Sequence, residues 1–334
     1  VAEFDLIERI RKAIGPPGHG TLVGLGDDAA VYKPPGQLEL LTCDAFVEGV
    51  HFRRDYATFE EIGAKCMVAN VSDVAAMGGF PARAVLSICV PPDMTDEDVD
   101  ALYRGALDVC RRYGAEVVGG DTVSSPSGLV VSVALTGSVD RDHVVTRAGA
   151  VVGDAVVVTG ELGGSEAGLR ALAQGLPEEG GVRDAMRRHL MPTARIAEAQ
   201  ALIEVATPHA MIDVSDGLSS DVWHIAEESN VGIALDADRI PLAPCALDVA
   251  ERLGVDPIEL ALASGEEFEL VVAIPKNEVE RTAEHVEAVT GTGVTCIGEV
   301  VGAETGCRLL RAGCTDELLL RTGFEHLGSS SAER

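Results

Sequence analysis

The sequence predicts a two-domain α/β protein, and three observations carry that expectation. The chain has 334 residues, 46% of them hydrophobic, which is enough to bury a sizeable core in each of two units. Apolar or β-branched runs of strand length alternate with stretches of helical spacing. Near residue 150 the pattern starts afresh with Val151-Val152-Gly153-Asp154-Ala155-Val156-Val157-Val158-Thr159-Gly160, a turn feeding a buried strand. The expected units are therefore residues 1–149 and 150–334.

In the first unit, Phe4, Ile7, Ile10 and Ile14 recur at helical spacing, and Gly15-Pro16-Pro17-Gly18 stops that helix. Leu38–Thr42, Ala84–Val90, Glu116–Val118 and Leu129–Thr136 are strand-like. Between them Thr95 and Asp98 form a capping-box pattern; Val99, Leu102, Tyr103, Ala106 and Cys110 follow at steps of three and four, and Gly114 closes the helix. In the second unit the spacing predicts helices over Thr193–Val205, Ser219–Glu228 and Asn277–Val289. Strands are predicted over Ala210–Val214, Phe268–Ile274 and Val294–Val300. Gly175, Pro177, Gly180 and Gly181 mark residues 174–184 as a mobile loop, and the polar stretch 328–334 as a disordered tail.

Lys+Arg 26 against Asp+Glu 54 leaves a formal net charge of -28, which argues against a nucleic-acid or anionic-membrane surface, since both partners are polyanions. An anionic substrate would have to be met locally, by metal ions, arginines and helix N-termini. The eight cysteines include no CxxC pair and several sit in apolar runs, so reduced thiols and a cytoplasmic setting are expected. No run of about 18 apolar residues spans a membrane, and the first residues carry an amphipathic pattern rather than a signal peptide.

The distinctive feature is aspartate among glycine, serine and threonine: Gly26-Asp27-Asp28-Ala29, Thr42-Cys43-Asp44, Asn70-Val71-Ser72-Asp73, Gly119-Gly120-Asp121-Thr122 and Asp213-Val214-Ser215-Asp216-Gly217. Each resembles a tight turn that leaves a strand and stands a carboxylate at the rim of a sheet, although any one alone could be a simple turn or cap. Asp73 could cap a helix beginning at Val74, and Ser215 or Asp216 one beginning near Ser219. Taken together they ask for cations, because two unit charges about 4 Å apart repel by roughly 4 kcal/mol at an effective dielectric of about 20. Hard oxygen donors without paired His or Cys favour Mg²⁺ or Ca²⁺ over zinc, and Mg²⁺ shared between carboxylates and phosphates is usual in phosphoryl transfer. No Gly-Lys dipeptide occurs, so a Walker-type phosphate loop is excluded. The loose GxGxxA match at Gly24–Ala29 puts two carboxylates where a pyrophosphate would approach. HExxH is absent.

GDDAAV at 26–31, VEGVHF at 47–52, NVSDVAAMGG at 70–79, GGDT at 119–122, TRAGA at 146–150, DVSDGL at 213–218 and SGEEFEL at 264–270 resemble, in order and over nearly the whole chain, the thiamine-monophosphate kinases. That resemblance implies an aminoimidazole ribonucleotide synthetase-like fold, with an N-terminal domain that dimerises and binds ATP and a mixed α/β C-terminal domain. It implies Mg²⁺ ligands at Asp28, Asp44, Asp73, Asp121 and Asp213, with Thr42 and Cys43 adjoining and Asp216 on a further ion. A thiol is a poor Mg²⁺ ligand, so Cys43 would serve through its carbonyl. It implies ATP or metal contacts at Tyr103, Gly120, Asp121, Arg147 and Ser215, and thiamine phosphate contacts at His51, Glu266 and Phe324. Without it, His51 reads as a packed histidine, Tyr103 as core, Phe324 as an anchor for the chain end, and nothing separates Glu266 from Glu267.

The implied reaction is direct, in-line transfer of the ATP γ-phosphoryl group to thiamine monophosphate in a homodimer. It needs no general base, because a phosphate monoester with a second pKa near ~6 is already anionic at neutral pH. The alternatives are another enzyme of the superfamily and a non-catalytic acidic metal-binding protein. Selenophosphate synthetase should carry a reactive cysteine in its N-terminal segment, yet none precedes Cys43; a hydrogenase-maturation relative would end in a reactive cysteine, yet none follows Cys314.

Overall fold

A computed structural model describes residues 21–23, 30–32, 38–311, 313 and 316–324. The helix expected over residues 3–14, the turn with Asp27 and Asp28, Cys314 and the tail at 328–334 lie outside these. The first unit runs β1 (Thr21–Val23), β2 (Ala30–Tyr32), β3 (Leu38–Val47), α1 (Phe59–Ala76), β4 (Phe80–Val90), α2 (Asp96–Tyr113), β5 (Glu116–Ser124) and β6 (Val130–Val139). Its strands form one sheet in the order β1-β2-β3-β6-β4-β5. Only β4 and β5 pair in parallel, and α2 supplies the crossover that a parallel pair requires.

Strict alternation along β3 separates its two faces. Leu38, Leu40, Thr42 and Phe46 are buried, whereas Leu41, Cys43 and Ala45 are exposed. Helix α1 lies on the buried face and also touches the second unit, which explains why it is buried on nearly every side from Ile62 to Ala76. Thr58 and Glu61 close a capping box at its start. Helix α2 begins with the expected Thr95–Asp98 box and ends at Gly114 with φ 77°. The two helices cross backbone to backbone: a Cβ at Gly63 would lie 1.9 Å from the Leu102 carbonyl oxygen, and one at Gly105 would lie 1.8 Å from that of Glu60.

The second unit runs β7 (Ala155–Thr159), α3 (Gly164–Ala173), α4 (Gly180–Leu190), α5 (Ile196–Val205), β8 (Ala210–Asp213), α6 (Leu218–Ser229), β9 (Gly232–Asp236), α7 (Pro244–Leu253), α8 (Pro257–Ala263), β10 (Leu270–Ile274), α9 (Val279–Thr290), β11 (Val294–Val301), β12 (Arg308–Leu310) and β13 (Glu317–Leu318). Its sheet has the order β13-β12-β9-β11-β7-β10-β8 and is antiparallel except between β9 and β12. One apolar core joins Leu40, Met67 and Leu102 of the first unit to Val157, Leu202 and Leu270 of the second. No helix among the described residues is long and apolar enough to cross a membrane.

Two expectations fail here for physical reasons. The loop expected over residues 174–184 becomes helix α4 from Gly180 onward, because Val182, Ala185, Met186 and His189 recur at helical spacing and bury one face. The rim-turn geometry holds for Asp213 at the end of β8, but Asp44 lies inside β3, Asp121 inside β5, and Asp73 inside the last turns of α1 instead of capping a helix at Val74.

Candidate functional site

The site forms where α1 meets the strand β3 on one side and the end of β8 on the other. Adjacent residues of α1 point to different partners, as a helix demands of neighbours. Ser72 Oγ donates to Asp213 Oδ2 at 2.5 Å, while Asp73 accepts a short hydrogen bond from the Thr42 hydroxyl of β3. Asp213 is 1% exposed, and its Oδ1 has no hydrogen-bond partner. Burial pushes the Asp213 carboxyl up to about 6; Asp44 pushes the same way, and the Ser72 hydroxyl and Arg147 oppose it.

A buried carboxylate with a bare oxygen is costly unless it is neutralised, and a cation among Thr42, Asp44, Asp73 and Asp213 would do this. All of these donors are hard oxygens, so the residues fit Mg²⁺. The Cys43 thiol does not belong to this set. It lies on the outward face of β3, within 3.7 Å of Ser132 Oγ, so Cys43 could join the set only through its main chain. Asp121 is also apart: it is exposed on β5, in register with the outward-facing Ser87 of β4. Asp28 lies outside the described residues.

The loop Asp213–Gly217 is the hub of the other predicted residues. Ser215 accepts from the Glu266 amide at 2.8 Å, Val214 from the Phe268 amide at 2.9 Å, and Asp216 from the Phe324 amide at 3.0 Å, all through main-chain carbonyls. A Cβ on Gly323 would fall 2.2 Å from the Asp216 carbonyl oxygen, so only glycine lets the chain pass. Phe324 thereby comes within 6.3 Å of His51, ring centroid to ring centroid, and His51 stands 5.0 Å from Phe46. His51 is set by the turn after β3, where Gly49 adopts φ 82° and the Val47 amide donates to His51 Nδ1 at 3.0 Å. That bond fixes the proton of a neutral imidazole on Nε2.

Ser215 and Asp216 do not cap α6; Gly217 occupies the cap position with φ 120°. Asp216 instead clusters with Asp221 and His224, all three ligating atoms lying within 4.8 Å of one another. Asp221 Oδ2 accepts from the Gly217 amide at 3.1 Å. Burial, with Arg147 and Arg321 nearby, pushes His224 down to about 4 and keeps it neutral. Asp221 and His224 were not anticipated, although their spacing of three on one helix was a usable signal. Arg147 is half-buried and acts on both Asp213 and His224, and the half-buried Tyr103 packs against the core from α2.

The SGEEFEL segment divides its three carboxylates. Glu266 pairs with Lys65. Glu267 accepts from the Ser165 amide at 3.0 Å and the Ser264 hydroxyl at 2.6 Å, at the start of α3. Glu269 is held by Arg195, with Nε at 2.7 Å and Nη2 at 2.5 Å, and by the Thr159 hydroxyl at 2.6 Å. Glu266 and Phe268 adopt φ 56° and 54°, a left-handed backbone that costs of order 1 kcal/mol or more per residue, and the main-chain bonds to Ser215 and Val214 hold it there.

The two packed α/β units match the AIR synthase related proteins, the N-terminal domain over residues 26–139 and the C-terminal domain over residues 151–308. Thiamine-monophosphate kinase of Bacillus subtilis is 34% identical over 329 residues, 97% of this chain and 99% of that protein. That of Aquifex aeolicus is 38% identical over 277 residues, 83% and 87% respectively. A solved structure, AaThiL complexed with AMPPCP and TMP, superposes with a TM-score of 0.84 at 35% identity over 97% of each chain. The chain belongs to the thiamine-monophosphate kinase family within the AIR synthase related proteins.

Proposed function

We propose that the protein transfers the γ-phosphoryl group of ATP to thiamine monophosphate, giving thiamine diphosphate and ADP. The observation that carries this is the loop Asp213–Gly217, which binds the oxygen-rich Thr42–Asp44–Asp73–Asp213 set to the Glu266, Phe324 and His51 group in one place. The likeness to relatives of that name, and to AaThiL complexed with AMPPCP and TMP, supports the same function.

Asp44, Asp73 and Asp213, with the Thr42 hydroxyl, would hold Mg²⁺, and Asp216 with Asp221 would hold a further ion; the resemblance to the family adds Asp28 and Asp121 as further ligands. Bound Mg²⁺ supplies the charge neutralisation that lets two polyanions approach. Arg147 adds a fixed positive charge beside Asp213 and favours the phosphates of ATP, for which Ser215, Gly120 and Tyr103 are the remaining contacts. On the acceptor side, His51 offers Nε2–H to an anionic oxygen, Phe324 offers a ring face, and Glu266 offers negative charge to the cationic part of the substrate. The acceptor phosphate is already ionised near pH 7, so positioning and charge do the work and no residue has to remove a proton.

We also propose a homodimer built on the first unit. Its support is apolar exposure on the outward face and edge of the first sheet: Leu41 41%, Val85 41%, Val118 52% and Val123 47%. The division of the chain at 149/150 and a cytoplasmic setting belong to the same proposal; the second rests on free thiols at all the described cysteines. Product analysis after incubation with ATP, Mg²⁺ and thiamine monophosphate tests the function. Thiamine diphosphate is expected, and its absence from a folded, magnesium-loaded preparation overturns the proposal.

A further inference from the structure

Lys65 is one of only four lysines in the chain, and it is buried to 3% exposure in α1, between Ala64 and Cys66. Its ammonium faces two groups of the second unit: Glu266, with which it forms an ion pair, and His189 of α4, whose Nε2 lies 3.2 Å from Nζ. An ammonium can only donate, so His189 Nε2 accepts and the ring proton sits on Nδ1. Nδ1 lies 3.2 Å from Ser165 Oγ, a partner that can accept this proton, and 3.7 Å from Glu266 Oε2. Burial and Lys65 together hold His189 well below its ordinary range, in agreement with a neutral ring. The rest of the wall is mostly apolar: Phe46, Phe52, Tyr56, Ile62 and Leu190 line the small cavity beside Lys65, with Glu61 the one further charged residue of the lining.

An unbranched apolar side chain would fill this wall without any desolvation cost, and a buried ion pair is weak evidence for stability. What the cation does here is geometric. Glu266 sits on a left-handed backbone, its side chain remains 23% exposed, and its Oε2 is turned toward a charge and an imidazole delivered by two different helices. Phe46 both lines this cavity and packs against His51, so the cluster adjoins the residues assigned above to the acceptor.

We infer that Lys65, backed by His189, is a positioning residue that clamps Glu266 across the seam between the two units and so sets the affinity for the acceptor substrate. This rests on the proposed function, because the acceptor is taken to be thiamine monophosphate. The clamp fixes the carboxylate in one orientation, so that it meets the cationic part of the acceptor without first being ordered on binding.

Calorimetric titration of the magnesium-loaded protein with thiamine monophosphate, and separately with ATP, tests the inference in Lys65→Met, His189→Phe, Glu266→Gln and the double variant Lys65→Met/Glu266→Gln. Lys65→Met is expected to weaken thiamine monophosphate binding by about tenfold and ATP binding by less than about twofold, with Lys65→Arg restoring most of the acceptor affinity. The double variant should bind thiamine monophosphate no more weakly than Glu266→Gln alone. If Lys65→Met does not fold, His189→Phe carries the test, with acceptor affinity reduced severalfold and ATP affinity kept. Unchanged acceptor affinity in the folded variants, equal losses for both substrates, or losses that multiply in the double variant would overturn the clamp. A wild-type protein that fails to bind thiamine monophosphate overturns the proposed function and the clamp with it, so the two failures are distinguished by the wild-type titration.

Discussion

Replacing Glu267 by glutamine should stabilise the protein at alkaline pH and do nothing at acid pH. Glu267 is 8% exposed, and burial pushes it up to about 7 from an ordinary 4.5, against the lowering effects of the Ser264 hydroxyl and the Ser165 amide. A folded-state value above the unfolded one means that the folded protein binds the proton more tightly. This stability is present in full below the unfolded value near 4.5, falls as pH rises through the interval, and is gone above about 7. The interval corresponds to roughly 3 kcal/mol as an upper figure. The start of α3 lies against this carboxylate, and a helix N-terminus favours an anion by about 0.3–1 kcal/mol, so a net effect of about 2 kcal/mol is expected. Glutamine keeps the carbonyl that accepts from Ser165 and Ser264 but cannot ionise. Urea unfolding of both proteins at pH 5, 6, 7 and 8 reads the difference directly, and the gap should open between pH 5 and 7 with the variant more stable. A gap that does not change with pH, or one that favours the wild type at pH 8, refutes the reasoning.

Asp44→Asn should remove at least about 99% of product formation while far-UV circular dichroism stays that of the wild type, because it takes one charged oxygen from the site without opening the core; wild-type turnover would count against Asp44 as a metal ligand. Arg195→Met should cost about 3–5 kcal/mol in urea unfolding at pH 7, since it strands Glu269 and Glu198, whose side chains are 4% and 9% exposed. That loss should shrink as pH falls and Glu269, whose carboxyl burial pushes above its ordinary range, takes up a proton; a loss independent of pH would contradict it. Gly105→Ala should lower the melting temperature, at a cost of about 1–3 kcal/mol, because its Cβ would lie 1.8 Å from the Glu60 carbonyl oxygen; an unchanged melting temperature would show that α1 and α2 can separate freely.

Much of the frame was legible because β3, β4, β6, β8, β10 and β11 alternate or run apolar between punctuating residues, and α2 carries its own cap and stop. Helix α1 was not legible. Squeezed between the first sheet and the second unit it is apolar on all sides, so no 3.6-residue stripe remains, and Asn70, Ser72 and Asp73 imitate a turn. Asp73 was therefore singled out for the site but placed on the wrong kind of element. Residue pattern alone left Glu266 and Glu267 equivalent, and only the family motif chose Glu266; their surroundings differ, one facing Lys65 and the other the first turn of α3. Lys65 itself gave no sign, since a lone lysine in a helix usually faces solvent, and its burial depends on two elements more than a hundred residues away in sequence.

The short stretch from Ser264 to Glu269 meets three separate supports: Glu266 reaches Lys65 across the seam, Glu267 meets the beginning of α3, and Glu269 meets Arg195. Its spacing therefore behaves as a gauge with no slack. Inserting or deleting a single residue within it would pull carboxylates out of register with their supports, and would move the backbone contacts with Ser215 and Val214 at the same time. Change in this segment can proceed by exchanging side chains, but not by altering its length.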